Sequence, residues 1–148
     1  VTKKKHKVFS LHQANSLLPD LEKRLRHLQN KKEAYSRTHD SLFMHELICA
    51  AERSKGLVEE QDDLEMGIHA LEDAIEELAK DVEAIFASGS ILRNIEKGQV
   101  EFLGEHDGET VYFSWELGEP EITYYRTLHS PRHERRTLPG KSAKEKAK

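Results

Sequence analysis

Apolar residues recur at Leu11, Ala14, Leu18, Leu21, Leu25 and Leu28, in steps that place them on one stripe of a helix. Ser10 followed by Gln13 has the form of a capping box, in which hydroxyl and glutamine satisfy each other's backbone amides. A helix is therefore expected to start after Ser10. Pro19 interrupts it early and disfavours helical geometry at Leu18, so a kink or a restart at Pro19 is expected. A second stripe is cleaner: Leu64, Ile68, Leu71, Ile75, Leu78, Val82 and Ile85 fit an a/d heptad without a miss. Continuing the first stripe gives Lys32, Tyr35, His39, Leu42 and Glu46, so Lys32 and His39 put polar groups where a register- or oligomer-fixing residue often sits.

Facing the stripes antiparallel pairs Leu25 with Ile85, Leu28 with Val82 and Leu42 with Ile68, which centres the turn at Ser54-Lys55-Gly56. Glycine is the residue that most readily takes the left-handed helix-ending conformation. One continuous helix through Gly56, open to partner chains, is the competing reading, since an interior glycine costs only about 1 kcal/mol. Basic side chains on the first helix (Lys23, Arg24, Arg26, Lys31, Lys32, Arg37) would then flank acids on the second (Glu72, Asp73, Glu76, Glu77, Asp81, Glu83).

The second helix is expected to end at Ala87-Ser88-Gly89, followed by an apolar connector containing Ile91, Leu92 and Ile95. Beyond Gly98 the period changes to two. Val100 and Phe102, then Thr110, Tyr112 and Ser114, flank Asp107-Gly108, a strong hairpin signal. A third strand is expected over Glu121 to Arg126. The predicted fold class is α+β: a long antiparallel, coiled-coil-like helical hairpin with a small C-terminal three-stranded antiparallel β meander. As domains, this reads as a basic tail over 1–9, one unit over 10–138 (hairpin 10–88, β unit 98–138) and a disordered basic tail over 139–148.

Charge sharpens the picture. The chain of 148 residues carries a net charge of −4, but the two terminal tens of residues are lysine-rich and residues 57–87 hold eleven acids against one lysine. Phosphate repulsion disfavours nucleic-acid binding by such a body, leaving at most weak contact through the lysine tails. No run approaches the roughly 18 apolar residues of a spanning helix, and the N-terminal lysine run lacks the apolar segment of a signal peptide. The single cysteine, Cys49, excludes an internal disulfide framework and sits among Leu47, Ile48, Ala50 and Ala51, where it is expected to pack as a small hydrophobe. A cytoplasmic location is the simplest expectation.

Two segments, Phe9-Ser10-Leu11-His12-Gln13-Ala14-Asn15-Ser16-Leu17-Leu18-Pro19 and Val111-Tyr112-Phe113-Ser114-Trp115-Glu116-Leu117-Gly118-Glu119-Pro120-Glu121-Ile122, resemble a bacterial and archaeal family catalogued as domain of unknown function 2203. The resemblance implies a small α+β protein over about Phe9 to Leu138 and no established activity. Relatives often carry a cysteine just before the tryptophan and a Trp-His pair in the next strand. Here those positions hold Ser114 and Tyr125-Arg126, whereas the downstream basic pair matches at Arg135-Arg136.

Candidate chemistry is sparse. No Gly-rich phosphate loop, nucleophile elbow or Glu-x-x-His di-metal signature is present. Glu65, His69 and Glu72 share a helical face with metal-ligand spacing, and His129 and His133 offer a second pair, so a divalent metal is the one cofactor to consider. His39, opposite Asp73, is a possible pH-responsive group. Trp115, Glu119, Glu121, Arg126, Arg132, Arg135 and Arg136 form the richest cluster, suited either to a charged ligand or to structural ion pairs. The expected function is a non-enzymatic, homodimeric interaction or scaffold protein paired through the helices. The alternative is a metal- or small-anion-binding protein using the acidic helix or the Glu/Arg cluster.

Overall fold

The computed structural model describes residues 7–57, 62–131 and 133–140, with the side chains of residues 62–64 left aside. It is an α+β protein: a six-residue helix α1 (Leu11–Ser16), a long helix α2 (Leu18–Ser54), a third helix α3 (Asp62–Ala87) and one five-stranded antiparallel sheet. The strands are β1 (Ile91–Asn94), β2 (Gln99–His106), β3 (Glu109–Glu116), β4 (Tyr124–Thr127) and β5 (Arg136–Thr137), hydrogen-bonded in chain order. The chain divides into two compact units, residues 1–26 with 83–148, and residues 27–82.

Helix boundaries follow the capping chemistry. Ser10 Oγ accepts from Gln13 N at 3.1 Å while Ser10 N donates to Gln13 Oε1 at 2.9 Å. This box satisfies two of the amides a helix start leaves orphaned, and removing such a cap costs about 1 kcal/mol. The interruption falls at Leu17, the C-cap of α1, and Leu18 opens α2 with Pro19 in its first turn, so Leu18 is helical rather than expelled. Proline fits there because the first-turn amides have no intrahelical acceptor. α2 stops at Gly56, whose φ of +76° lets Gly56 N reach Arg53 O and Leu57 N reach Glu52 O, the paired bonds of a Schellman ending. A helix continuing through Gly56 is thereby ruled out. α3 ends where expected, with both Ser88 Oγ and Ser90 Oγ donating to Ile85 O.

In the first unit, Phe9, Ala14, Leu18, Leu21, Leu25 and Ile85 are buried together with Val100, Phe102, Val111, Phe113, Trp115, Ile122 and Leu138. Strand alternation explains the sheet's share. Val100 pairs with Trp115 and Phe102 with Phe113, putting four large side chains on one face. Phe9 meets Phe102 edge-on at 5.2 Å and its amide donates to Leu103 O, so the segment expected to be part of a basic tail is docked on the sheet at residue 9. Gly104 makes this possible: an added Cβ would lie 2.3 Å from the Phe113 ring and 2.8 Å from Phe9 O. Asp107 (φ 52°) and Gly108 (φ 78°) form the tight turn between β2 and β3.

Two strands exceed the expected three. The Ile91 and Leu92 connector is strand β1, paired with Glu101 and Val100, and a two-residue β5 pairs with Tyr124 and Tyr125. β4 starts at Tyr124, so Glu121 to Thr123 precede the strand.

In the second unit, Leu28 and Cys49 are buried. Lys31 Nζ lies 3.0 Å from Asp81 and 3.8 Å from Glu77, and the Leu42 side chain occupies the space an added Cβ on Gly67 would need. An open groove of about 220 Å³ is lined by Ala34, Tyr35, Ala70, Leu71 and Ala74 among others. Arg24 and Arg26, expected to reach α3, pair with Asp20 and Glu22 one turn earlier on α2. Among the described residues, no helix is long and apolar enough to cross a membrane.

Candidate functional site

The face of the sheet opposite the aromatic core is polar. Cross-strand register brings Glu101 beside Ser114, Ser114 beside Tyr124, and Tyr112 beside Arg126. Glu101 is fully buried and accepts three charge-assisted bonds: from Arg93 Nε at 2.8 Å, Arg126 Nε at 2.8 Å and Arg126 Nη2 at 2.6 Å. Both guanidinium groups lie over the Tyr112 ring, at 5.0 and 4.7 Å from its centroid. Arg126 also donates to Ser130 O. The Glu101 hydrogen bond holds the Arg126 guanidinium charged further above its ordinary range, burial opposing this in part.

A second network closes the turn after β3. Arg135 makes a two-pronged contact with Glu119 at 2.9 and 2.7 Å, and donates to Ser114 Oγ and Ser114 O. Its guanidinium stacks on Tyr124 at 4.2 Å. Glu119 Oε1 accepts from Glu116 N, and Trp115 Nε1 donates to Glu119 O. The Trp-x-Leu-Gly-Glu-Pro segment is thus a turn tied at both ends, with Gly118 at φ 104° as its corner. Asn15 Oδ1 then accepts from Ile122 N at 2.8 Å, so the Ala-Asn of the N-terminal segment meets the end of the Trp-containing segment.

The residues grouped from sequence therefore separate. Glu119 and Arg135 do come together. Arg126 belongs to a different network whose acid, Glu101, and second arginine, Arg93, were not foreseen. Trp115 faces the core, 1% exposed, because it alternates with Ser114 and Glu116 along β3. Glu121 and Arg136 are exposed, and Arg132 lies outside the described residues. Three arginines (Arg93, Arg126, Arg135) meet three acids (Glu101, Glu116, Glu119), and every buried side-chain nitrogen or oxygen among the described residues is hydrogen-bonded. Hydrogen bonding this complete rigidifies a polar layer.

The metal candidates lack a built site. His69 Nδ1 is 3.3 Å from Glu72, both largely exposed, and Glu65, His129 and His133 are exposed as well. Among the described residues no three His, Cys, Asp or Glu side chains converge. His39 lies 3.8 Å from Asp40 and stacks on Tyr35 at 6.0 Å. Lys32 is half-buried and His39 exposed. Cys49 is buried with its Sγ 3.6 Å from His45 Nε2.

A family model described as "Uncharacterized conserved protein (DUF2203)" matches residues 7–138, the span and family that the two segments resemble. No curated protein matches the chain. No solved structure matches it either.

Proposed function

The chain belongs to this uncharacterised family, and on that footing we propose that it is a non-enzymatic, cytoplasmic interaction protein that self-associates through its two long helices. The contacts of Lys31 with Asp81 and Glu77, and of Leu42 with Gly67, support reading α2 and α3 as an antiparallel, coiled-coil-like hairpin. A helical turn advances 100° per residue. On that count Lys31, Ala34 and Thr38 share one flank of the hairpin with Ala70 and Ala74, as the groove they line requires. Phe43 and Leu47 fall on the opposite flank, together with Ile68 and Ile75.

These four side chains carry the proposal, being 60%, 55%, 47% and 51% exposed. A hairpin whose apolar residues keep half their area in water has a flank that pairing would bury. Burying that remaining half contributes about 1 kcal/mol per side chain. Eight such side chains across a symmetric interface offset only the lower part of the roughly 4–15 kcal/mol cost of association. A dissociable homodimer is the consequence. Light scattering over a dilution series tests it: a mass falling from dimer to monomer is expected, and a monomer at the highest attainable concentration refutes it.

A further inference from the structure

A hairpin flank can meet its own copy in two symmetric ways. With the two-fold axis across the helices, α2 lies on α2 and α3 on α3, with opposite directions. With the axis along the helices, α2 lies on the partner's α3 and the turns sit at the same end. Charge separates the two. α3 carries nine acids and one lysine, whereas α2 carries six acids and seven basic residues. Helices pack about 8–10 Å apart, which is about one Debye length, so the acidic helices would repel each other across the first arrangement.

Resting on the homodimer proposed above, the geometry points to the second arrangement, in which Phe43 lies on the partner's Ile68 and His39 on the partner's Glu72. The contact of Leu42 with Gly67 sets the level. Because the helices run in opposite directions, one residue further on each carries Phe43 and Ile68 to within about 3 Å of a common level, and the same offset sets His39 near the level of Glu72 and Ser36 near that of Ile75 toward Lys31. An axis along the helices maps each level onto itself with the helices exchanged. The Phe43 and Ile68 pair then forms a four-membered apolar layer, and Ser36 covers the partner's Ile75. Between them the exposed carboxylate of Glu72 meets His39 rather than a second carboxylate. An axis across the helices instead brings Glu72 and its acidic neighbours onto their own copies.

Pulsed dipolar spectroscopy of full-length chain tests this, with Cys49→Ala removing the native thiol and Ser54→Cys carrying a spin label on an exposed position at the end of α2. With the axis along the helices the two labels share one end of a four-helix bundle, roughly 20 Å apart. With the axis across, centred near Asp40, the 1.5 Å rise separates them by about 40 Å. The short distance is the expected result. The long distance in a dimer overturns the axial assignment while leaving self-association intact, and a monomeric mass for the unlabelled chain overturns both.

Discussion

Glu101→Gln is the most demanding perturbation of the sheet. The carboxylate is 0% exposed, and its partners Arg126 and Arg93 have side chains only 5% and 19% exposed. Glutamine preserves the shape but removes the charge, turns one acceptor into a donor aimed at a guanidinium, and leaves Arg126 buried without a counter-ion. Breaking one side of a buried pair costs about 3–5 kcal/mol, because the remaining charge cannot regain its water. The Arg93 contact adds little, since that side chain can turn toward solvent. For a chain of this length each kcal/mol lowers the melting temperature by about 2–4 °C, so a fall of roughly 6–20 °C follows. Thermal unfolding followed by Trp115 fluorescence reads it, as Trp115 is the single tryptophan and adjoins Ser114, the cross-strand partner of Glu101. Replacing both partners, Glu101→Met with Arg126→Met, is expected to cost less than Glu101→Gln alone, because an apolar pair leaves no stranded charge. A Glu101→Gln protein within about 1 kcal/mol of wild type refutes the reasoning. So does a double variant weaker than the single one. The raised Arg126 pKa contributes stability at every pH below the unfolded value and loses it only as pH rises through the folded one. For a guanidinium that window lies beyond the alkaline limit of ordinary folding studies, so no pH dependence from Arg126 is expected between acid and mild base.

Other predictions follow from single contacts. Gly104→Ala places a Cβ 2.3 Å from the Phe113 ring and 2.8 Å from Phe9 O; an overpacking loss of about 1–3 kcal/mol in urea titrations is expected, and an unchanged midpoint contradicts it. Asn15→Ala strands the amide of the buried Ile122, costing about 1–3 kcal/mol, with faster hydrogen exchange at Ile122 as the local readout. The Lys31 amine is raised above its ordinary 10.5 by its hydrogen bond to Asp81, with burial opposing. Its contribution is complete below the ordinary value and fades as pH rises through the raised one. Titration followed by NMR of the Lys31 side chain is expected to show it deprotonating above its ordinary value, and Asp81→Asn should remove most of that rise, leaving the smaller part due to Glu77.

Local signals in the chain were informative where the physics is local. The Ser10 and Gln13 box, the proline-marked restart, the glycine stop at Gly56 and the Asp107-Gly108 turn each involve residues within a few positions, and all four are found in the fold. β1 was missed because two apolar residues followed by Arg93 and Asn94 show no period of two. β5 is only two residues long, held by pairing with Tyr124 and Tyr125. Glu101 is invisible as a partner of Arg126 because 25 residues separate them, and only the β2–β3–β4 register brings them together. Alternation along β3 sets Val111, Phe113 and Trp115 against Tyr112, Ser114 and Glu116, so parity alone separates Trp115 from the charged cluster.

Sedimentation equilibrium of wild type beside Phe43→Glu with Ile75→Glu bears most directly on the idea that the exposed helical flank exists to meet another copy. Both substitutions fall at exposed positions, so helical content should be unchanged by circular dichroism. Wild type is predicted to show a reversible dimer and the double variant a monomer at every loading. Equal masses for the two proteins, whether both single or both paired, would contradict the account.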